Sequence, residues 1–458
     1  MKNRKSLLLV LAAATILSGC GGNKVSENKS ENPSSTSSET PSTQEEAKVY
    51  TYQTYTTVSP SNWNELTYQD NNDTQIMSYI GGSFFSFDFK FDNDGEIIDG
   101  DFEIKYDAAT KLEDVTTTYA GNENYAVPAD ATKNYAYKIT LRDDIKFDDG
   151  TPVTANDFVY TMKQQLDPLF KNYRADSFYT GSLVLHNAEK YVFQGEESYV
   201  DNYSGSDAAP FKAIDSTDDM VKGDDGVYTF NGKPALFAVQ AGCSWCGGDS
   251  LADYAGYLDK AALAELIPLC DEDGYVPVTD ASIDALGRTI ATESWGEDAS
   301  NVWAYLFYDY VYEEMDFSKV GIFRGDTDYE IVLVLDNPLD LLKEDGTLGY
   351  KAAYNMASLP LVQQSKYEAN KVEPQTGSTL WTSKYNSNVE TTASWGPYKL
   401  TSFESGKQYV LERNEYWYGY NKPENEGLYQ TDRIVCNTID QWNTAWLAFQ
   451  KGEVDDIG

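Results

Sequence analysis

The stretch from Tyr135 to Pro168 constrains the fold of this chain most, because it describes a strand, a turn and a helix start in direct succession. Aromatic and apolar residues alternate with polar ones at its beginning, at Tyr135, Tyr137, Ile139 and Leu141. This period of two predicts a strand with one buried face. The Asp-Asp-Gly sequence at 148–150 favours a turn, and Pro152 prevents the strand from continuing.

A helix is predicted directly after this turn. Thr154 is a suitable N-cap, and the carboxylate of Asp157 can accept hydrogen bonds from free backbone N–H groups of the first turn. Apolar residues then recur at helical spacing, at Phe158, Met162 and Leu166. The stretch holds no obvious catalytic residue, so we interpret it as scaffold.

The N-terminus has the pattern of a secretory signal. Basic residues precede an apolar run from Leu7 to Leu17, and this run is too short to be a spanning helix. The ending Leu-Ser-Gly-Cys resembles a bacterial lipobox, in which the thiol of Cys20 receives a diacylglyceryl group. We therefore predict a lipoprotein signal peptide at 1–19 and a lipid anchor at Cys20, on the extracytoplasmic face of the cell membrane. An ordinary secretory signal with a chance cysteine is the alternative.

Residues 20–48 comprise Cys20 and a stretch with almost nothing that can be buried, which predicts a disordered tether. The remainder is long enough for more than one domain. With 35 basic and 73 acidic residues, the formal net charge is −38. Such a surface repels nucleic-acid phosphates and anionic lipid, so neither is an expected partner, and membrane contact is expected through the lipid anchor only.

Four cysteines follow Cys20, in a location that is oxidising. Cys243 and Cys246 form a closely spaced pair, whereas Cys270 and Cys436 stand alone. A tetrahedral zinc site needs a second pair of ligands at suitable spacing, and the sequence has none. We predict a disulfide within the pair or from the pair to Cys270, and the sequence leaves this connectivity open. We predict neither a metal site nor a cofactor.

The chain has one histidine, His186, which nearly excludes catalytic triads and metal sites that depend on histidine. The sequence also lacks the G-x-S-x-G, P-loop and G-x-G-x-x-G motifs. We therefore predict a binding protein rather than an enzyme. The 35 tyrosines and 9 tryptophans suit peptide or sugar ligands alike.

Four stretches, in chain order, carry a resemblance to one family. They are "LRDDIKFDDGTPVTANDFVYTMKQQLDP" at 141–168, the predicted hairpin at 320–339, "SWGPYKLTSFESGKQYVLERNEYWYGYNKP" at 394–423, and "TAWLAFQKGEVDDIG" at 444–458. Together they resemble the large bacterial extracellular solute-binding proteins of the oligopeptide, dipeptide and nickel receptor family. These proteins are the capture components of ABC importers.

The resemblance implies an α/β fold of the two-lobed periplasmic-binding-protein type (type II), with mixed sheets and lobes that close on a hinge. It places the first segment of lobe I at 49–84 and the second at 361–458. Between them, 85–360 is expected to form an accessory domain with an insertion at about 202–316. The sequence stops where the family crosses into its second large lobe, so we expect only the first part of the fold here.

The resemblance further implies that a monomer captures small peptides and delivers them to the permease and ATPase subunits of an importer. In peptide-binding members an early strand lies along the ligand, so a backbone segment is expected to pair with peptide as an added strand, at Tyr55, Thr56, Thr57 and Val58. Aromatic contacts to ligand are expected from Tyr173, Tyr179 and Trp395. Capture of oligosaccharides is one alternative, and a surface peptide sensor or adhesin without transport is another.

Overall fold

The computed structural model describes residues 49–94, 96–201, 214–243, 247–290, 301–356 and 358–457. These residues form one compact unit. The strands, numbered in chain order, are β1 Thr51–Thr56, β2 Phe85–Phe91, β3 Ile97–Tyr106, β4 Ala109–Asp114, β5 Ala136–Leu141, β6 Glu197–Asp201, β7 Val221–Lys222, β8 Tyr228–Phe230, β9 Lys233–Pro234, β10 Leu236–Ala238, β11 Tyr275–Pro277, β12 Leu306–Val311, β13 Ile322–Arg324, β14 Glu330–Val334, β15 Lys371–Val372, β16 Thr382–Ser383, β17 Tyr398–Glu404, β18 Gln408–Arg413 and β19 Arg433–Thr438.

The helices connect and cover these strands. The α-helices are α1 Thr74–Ile80, α2 Thr116–Tyr119, α3 Ala155–Gln165, α4 Ala188–Phe193, α5 Lys260–Leu266, α6 Asp280–Ile290, α7 Tyr350–Met356, α8 Gln364–Ala369 and α9 Trp442–Gln450. Short 3-10 helices span Tyr173–Phe178, Leu251–Tyr254, Ile267–Leu269, Val302–Tyr305, Phe317–Lys319, Tyr418–Asn421 and Pro423–Asn425. The fold is therefore mixed α/β, as predicted.

The predicted strand, turn and helix form as β5 and α3. Tyr137, Ile139 and Leu141 are buried, and β5 lies inside an antiparallel sheet of order β13-β14-β5-β4. At the start of α3, one oxygen of Asp157 accepts hydrogen bonds from the backbone N–H of Thr154 at 2.8 Å and from its hydroxyl at 2.9 Å. This interaction satisfies a free N–H group and fixes where the helix begins.

A second sheet joins the two ends of the described chain, in the order β1-β19-β18-β17. β1 is parallel to β19 and lies at the edge of the sheet, whereas the other pairs are antiparallel. Helix α1 packs on this sheet with Ile76 and Ile80 buried. The sheet therefore places the end of β1 beside segments that follow it by several hundred residues.

A third sheet, of order β11-β10-β12-β6, lies within the predicted insertion apart from β6, which precedes it. Together with α5 and α6 it encloses its own hydrophobic cluster, in which Phe237, Leu266 and Tyr305 are fully buried. This segment thus has a core separate from the cluster around β5 and α3. The boundaries of the insertion and of the two lobe segments stay predictions.

The predicted signal peptide, Cys20 and the tether lie outside the described residues. Among the helices of the described part, we find none with the length and apolar character required to cross a bilayer.

Candidate functional site

The end of β1 is where the sequence predicts contact with peptide. The outer edge of β1 contacts the last described residues, since the backbone N–H of Gln53 donates to the Asp455 carboxylate at 2.8 Å and its carbonyl accepts from the Asp455 N–H at 2.7 Å. The hydroxyl of Tyr55 donates to the carbonyl of Ile457 at 3.2 Å. The chain itself therefore occupies this part of the edge, and the pairing of a peptide strand with β1 stays a prediction.

Thr56 is also committed to the protein's own structure. It is buried, its carbonyl accepts from the N–H of Ile439 at 2.9 Å, and its hydroxyl donates to the carbonyl of Val58 at 2.9 Å. Thr57 and Val58 lie beyond the end of β1 and are exposed. Of the four residues predicted to pair with peptide, these two keep an accessible position.

The loop after β1 is held by a buried carboxylate. Asp73 is 2% exposed, and one of its oxygens accepts from the backbone N–H groups of Ser61 at 2.7 Å and Asn62 at 3.0 Å. The side-chain amide of Asn62 in turn donates to the carbonyl of Thr67 at 3.0 Å. The two hydrogen bonds to this buried side chain fix the path of the loop at Ser61 and Asn62.

The segment after α3 packs against this loop. Asn172 caps the 3-10 helix Tyr173–Phe178 by accepting from the N–H of Arg174 at 3.0 Å. The hydroxyl of Tyr173 donates to the carbonyl of Tyr68, while its ring is about half exposed. The guanidinium of Arg174 lies over the ring of Tyr68, 3.7 Å from its centroid. We call Tyr68, Tyr173 and Arg174 the Tyr-Arg cluster.

No short motif marks Tyr68 or Arg174, and for this reason the sequence alone does not single them out. The one sequence feature that could have drawn attention to Arg174 is that arginine is rare in this acidic chain. The 106 residues that separate the two explain why local pattern could not pair them.

Tyr179 lies close to the cluster in sequence but contacts the hydrophobic core. It is half-buried and packs edge-on against Phe193, with ring centroids 5.7 Å apart. Burial raises the pKa of its hydroxyl. A role in ligand contact stays a prediction for this residue.

Trp395 is buried in the core of this structure, and its predicted contact with ligand stays a prediction. Its side chain is 3% exposed and packs edge-on against Phe158, with ring centroids 6.2 Å apart. Gly82 lies directly against the ring, since a Cβ placed there would be 2.7 Å from it. The indole fills the space between α3 and the segment that follows α1.

The cysteines resolve one of the alternatives. Cys243 is disulfide-bonded, whereas Cys270 and Cys436 are free thiols. A bond from the Cys243 and Cys246 pair to Cys270 is therefore wrong, and Cys246 itself lies outside the described residues. Within the described ranges, no group of three or more His, Cys, Asp or Glu side chains is placed to hold a metal ion.

A cavity of about 470 Å³ lies between the residues after β5 and the segment that follows β18. Its lining residues are Arg142, Asp144, Lys146, Glu415, Tyr416, Trp417, Tyr418, Asn421, Lys422 and Pro423. Most of its charges are paired, as with the two hydrogen bonds from Arg142 to Asp144 at 2.8 and 2.7 Å. None of the residues predicted to bind ligand lines this cavity.

The carboxyl group of Glu65, in the loop after β1, forms a hydrogen bond with a segment that is distant in the sequence. Glu65 accepts a hydrogen bond from the backbone N–H of Leu361 at 2.9 Å. Desolvation raises the pKa of this carboxyl to about 7, and that single hydrogen bond lowers it only in part. Burial likewise raises the pKa of Glu189 to about 7.

Stability is therefore expected to fall as pH rises from about 4.5 to about 7. In this window the unfolded chain releases the Glu65 proton while the folded chain retains it, so each rise in pH favours unfolding. We expect Glu65→Gln to remove up to about 3 kcal/mol of this pH dependence. Urea unfolding of both proteins between pH 5 and pH 8 measures it, and equal slopes would contradict the assignment.

Comparisons with known proteins identify the family. The model of bacterial extracellular solute-binding proteins, family 5 Middle, matches residues 125–234 and 298–458. The stretch between these two matched ranges, 235–297, lies inside the predicted insertion. No curated protein matches the chain.

Solved structures with a similar arrangement include three receptors. Oligopeptide-binding OppA of Listeria monocytogenes is 11% identical, with a TM-score of 0.42 over 89% of this chain and 46% of that one. The substrate-binding domain of an oligopeptide ABC transporter from Bacillus anthracis is 11% identical, with a TM-score of 0.43 over 89% and 45%. The murein tripeptide binding protein MppA of Escherichia coli is 13% identical, with a TM-score of 0.41 over 89% and 45%.

The chain thus spans about half the length of these solved structures. The family model, by contrast, covers more than half of this chain, including the strand, turn and helix with which the resemblance begins. The chain therefore belongs to the bacterial extracellular solute-binding proteins of family 5.

Proposed function

We propose that this protein is the substrate-binding lipoprotein of an ABC importer and that it captures oligopeptides. The observation that carries this proposal is the family match across 125–234 and 298–458. Extracellular solute capture needs no covalent chemistry, which agrees with a sequence that offers no catalytic constellation. The protein acts as a binding protein rather than as an enzyme.

The contact surface of this chain consists of the exposed end of β1 and the ring of Tyr173. Thr57 and Val58 are exposed beyond β1, and main-chain pairing at this segment would accept peptides irrespective of their sequence. The half-exposed ring of Tyr173 offers a rigid aromatic face with a polar tip. Main-chain pairing beside an aromatic face suits ligands of varied sequence.

Capture couples to transport through closure of two lobes around the peptide. Binding shifts the population toward the closed form, which the permease and its ATPase recognise. The protein works as a monomer held by lipid at Cys20, on the extracytoplasmic face of the membrane.

Mass spectrometry of the small molecules that co-purify with the natively extracted protein tests this function. After denaturation of the protein, we expect a set of released masses that fragment as peptides. Masses spaced by hexose units would contradict peptide capture and favour the oligosaccharide alternative.

A further inference from the structure

Arg174 differs from the other arginines in the described part of the chain, because it alone has no acidic partner there. The remaining five are each ion-paired: Arg142 with Asp144, Arg288 with Glu265 and Asp284, Arg324 with Asp328, Arg413 with Asp432, and Arg433 with Glu412. In a chain of net charge −38, carboxylates are available almost everywhere. An arginine without one is therefore an exception that calls for a reason.

The acidic residues nearest to Arg174 in the sequence, and the buried Asp73 that holds the loop after β1, make other interactions. Asp73 is buried and accepts from the backbone of Ser61 and Asn62. Asp167 accepts from the N–H of Leu169 at 2.8 Å, and Asp176 faces the hydroxyl of Ser177 at 3.5 Å. None of these three carboxylates forms an ion pair with Arg174.

The guanidinium of Arg174 stacks on an aromatic ring through its flat face, whereas its N–H groups make no hydrogen bond to the described residues. It stacks on Tyr68 at 3.7 Å from the ring centroid and lies 5.9 Å from the centroid of Tyr173. Stacking uses the flat face of the group, whereas its five N–H donors point outward in the plane. Among the described residues none of these side-chain donors has an acceptor, so the group is oriented but its hydrogen bonds are unmade.

We propose that Arg174 binds a carboxylate of the captured peptide, with Tyr68 and Tyr173 fixing its orientation. The planar fork of the guanidinium matches the two oxygens of a carboxylate, and an orientation fixed in advance lowers the entropy lost on binding. The carboxylate comes from the peptide C-terminus or from an acidic side chain. This inference rests on the proposed function, peptide capture.

Three libraries of random pentapeptides separate these sources. The first has neutral side chains and a free C-terminal carboxylate, the second is the same library with a C-terminal amide, and the third is the amide library with one Glu. Retention by the purified full chain is measured by mass spectrometry for the wild type, Arg174→Gln and Arg174→Lys. Arg324→Gln is the matched control, because it removes the same charge from an exposed arginine that already has a carboxylate partner.

We expect the wild type and Arg324→Gln to retain a carboxylate library at least tenfold better than the neutral amide library. Preference for the first library would show that the bound carboxylate is the peptide C-terminus. Preference for the third library would show that it is an acidic side chain. Arg174→Gln should lose this preference while it still retains the neutral amides, and Arg174→Lys should keep part of it. Retained amides show that the variant is folded, since an unfolded chain would retain nothing.

The experiment distinguishes failure of the proposed function, peptide capture, from failure of the role proposed for Arg174. If the wild type retains none of the three libraries, peptide capture itself is wrong. If the wild type retains the amide and carboxylate libraries equally, or if Arg174→Gln keeps the preference, the role of Arg174 is overturned while peptide capture stands.

Discussion

Replacing Trp395 with alanine should lower the free energy of unfolding by about 3 to 5 kcal/mol, the range for truncation of a large buried aromatic side chain. The indole is 3% exposed and contacts Phe158 on α3 and Gly82 beyond α1. Its removal would leave a cavity at the junction of these elements, which neither backbone segment can close without losing its own contacts. Urea denaturation of the wild type and of the variant measures the difference.

Trp442→Ala is the matched control for this substitution. Trp442 is 58% exposed and stacks only on Trp446, which is itself 38% exposed. Its loss should change the free energy of unfolding by less than about 1 kcal/mol, as is usual at the surface. Equal effects of the two substitutions would contradict the placement of Trp395 in the core.

Gly396→Ala should lower the free energy of unfolding by about 3 kcal/mol, at the upper end for an overpacked site. A Cβ at this position would lie 2.1 Å from the carbonyl oxygen of Gly81 and 2.9 Å from the carbonyl carbon of Ile80. Both are backbone atoms, so no side-chain rotation can relieve the overlap. The N–H of Gly396 also donates to the carbonyl of Ile80 at 2.8 Å, and separation of the two segments would break this bond.

Gly287→Ala provides the comparison for Gly396→Ala. Gly287 lies inside α6, and a Cβ there would meet nothing closer than Val302 at 3.7 Å. Because alanine favours the helix over glycine, we expect unchanged or increased stability, by up to about 1 kcal/mol. If Gly396→Ala were tolerated as well as Gly287→Ala in the same unfolding assay, the close approach of the two backbone segments would be wrong.

The sequence was sufficient for features that depend on neighbouring residues. The alternation in β5, the Asp157 interaction at the start of α3 and the apolar stripe of that helix all lie within a few residues of one another. Each is set by local periodicity or by capping, which a single sequence displays directly.

The site could be predicted only in part, because its contacts join distant parts of the chain. Gln53 meets Asp455 across 402 residues, and this contact occupies the edge of β1 that a peptide was expected to use. Trp395 precedes the Gly-Pro-Tyr sequence in a stretch that reads as a loop, and only its packing against Phe158 and Gly82 shows that it is buried. Arg174 and Tyr68 come together for a similar reason, through packing of one loop on another.

A second hydrophobic core also could not be predicted from local sequence patterns. It is formed mainly by residues of three segments, 214–243, 247–290 and 301–311. Phe237, Leu266 and Tyr305 are buried together although they come from distant parts of this region. The family model omits 235–297 from its match. The unmatched stretch 235–297 contributes Phe237 and Leu266 to this core, whereas Tyr305 lies in a matched range. Deletion of 235–297 therefore asks whether peptide capture depends on this stretch.

Retention of random pentapeptides by the purified chain, with hexose oligosaccharides of similar mass in the same mixture, tests peptide capture most directly. We expect the bound fraction to contain peptides of many sequences and no oligosaccharide, because main-chain pairing beyond β1 does not depend on particular side chains. A bound fraction made up of oligosaccharide, or one without peptide at saturating concentrations, would contradict the proposed function.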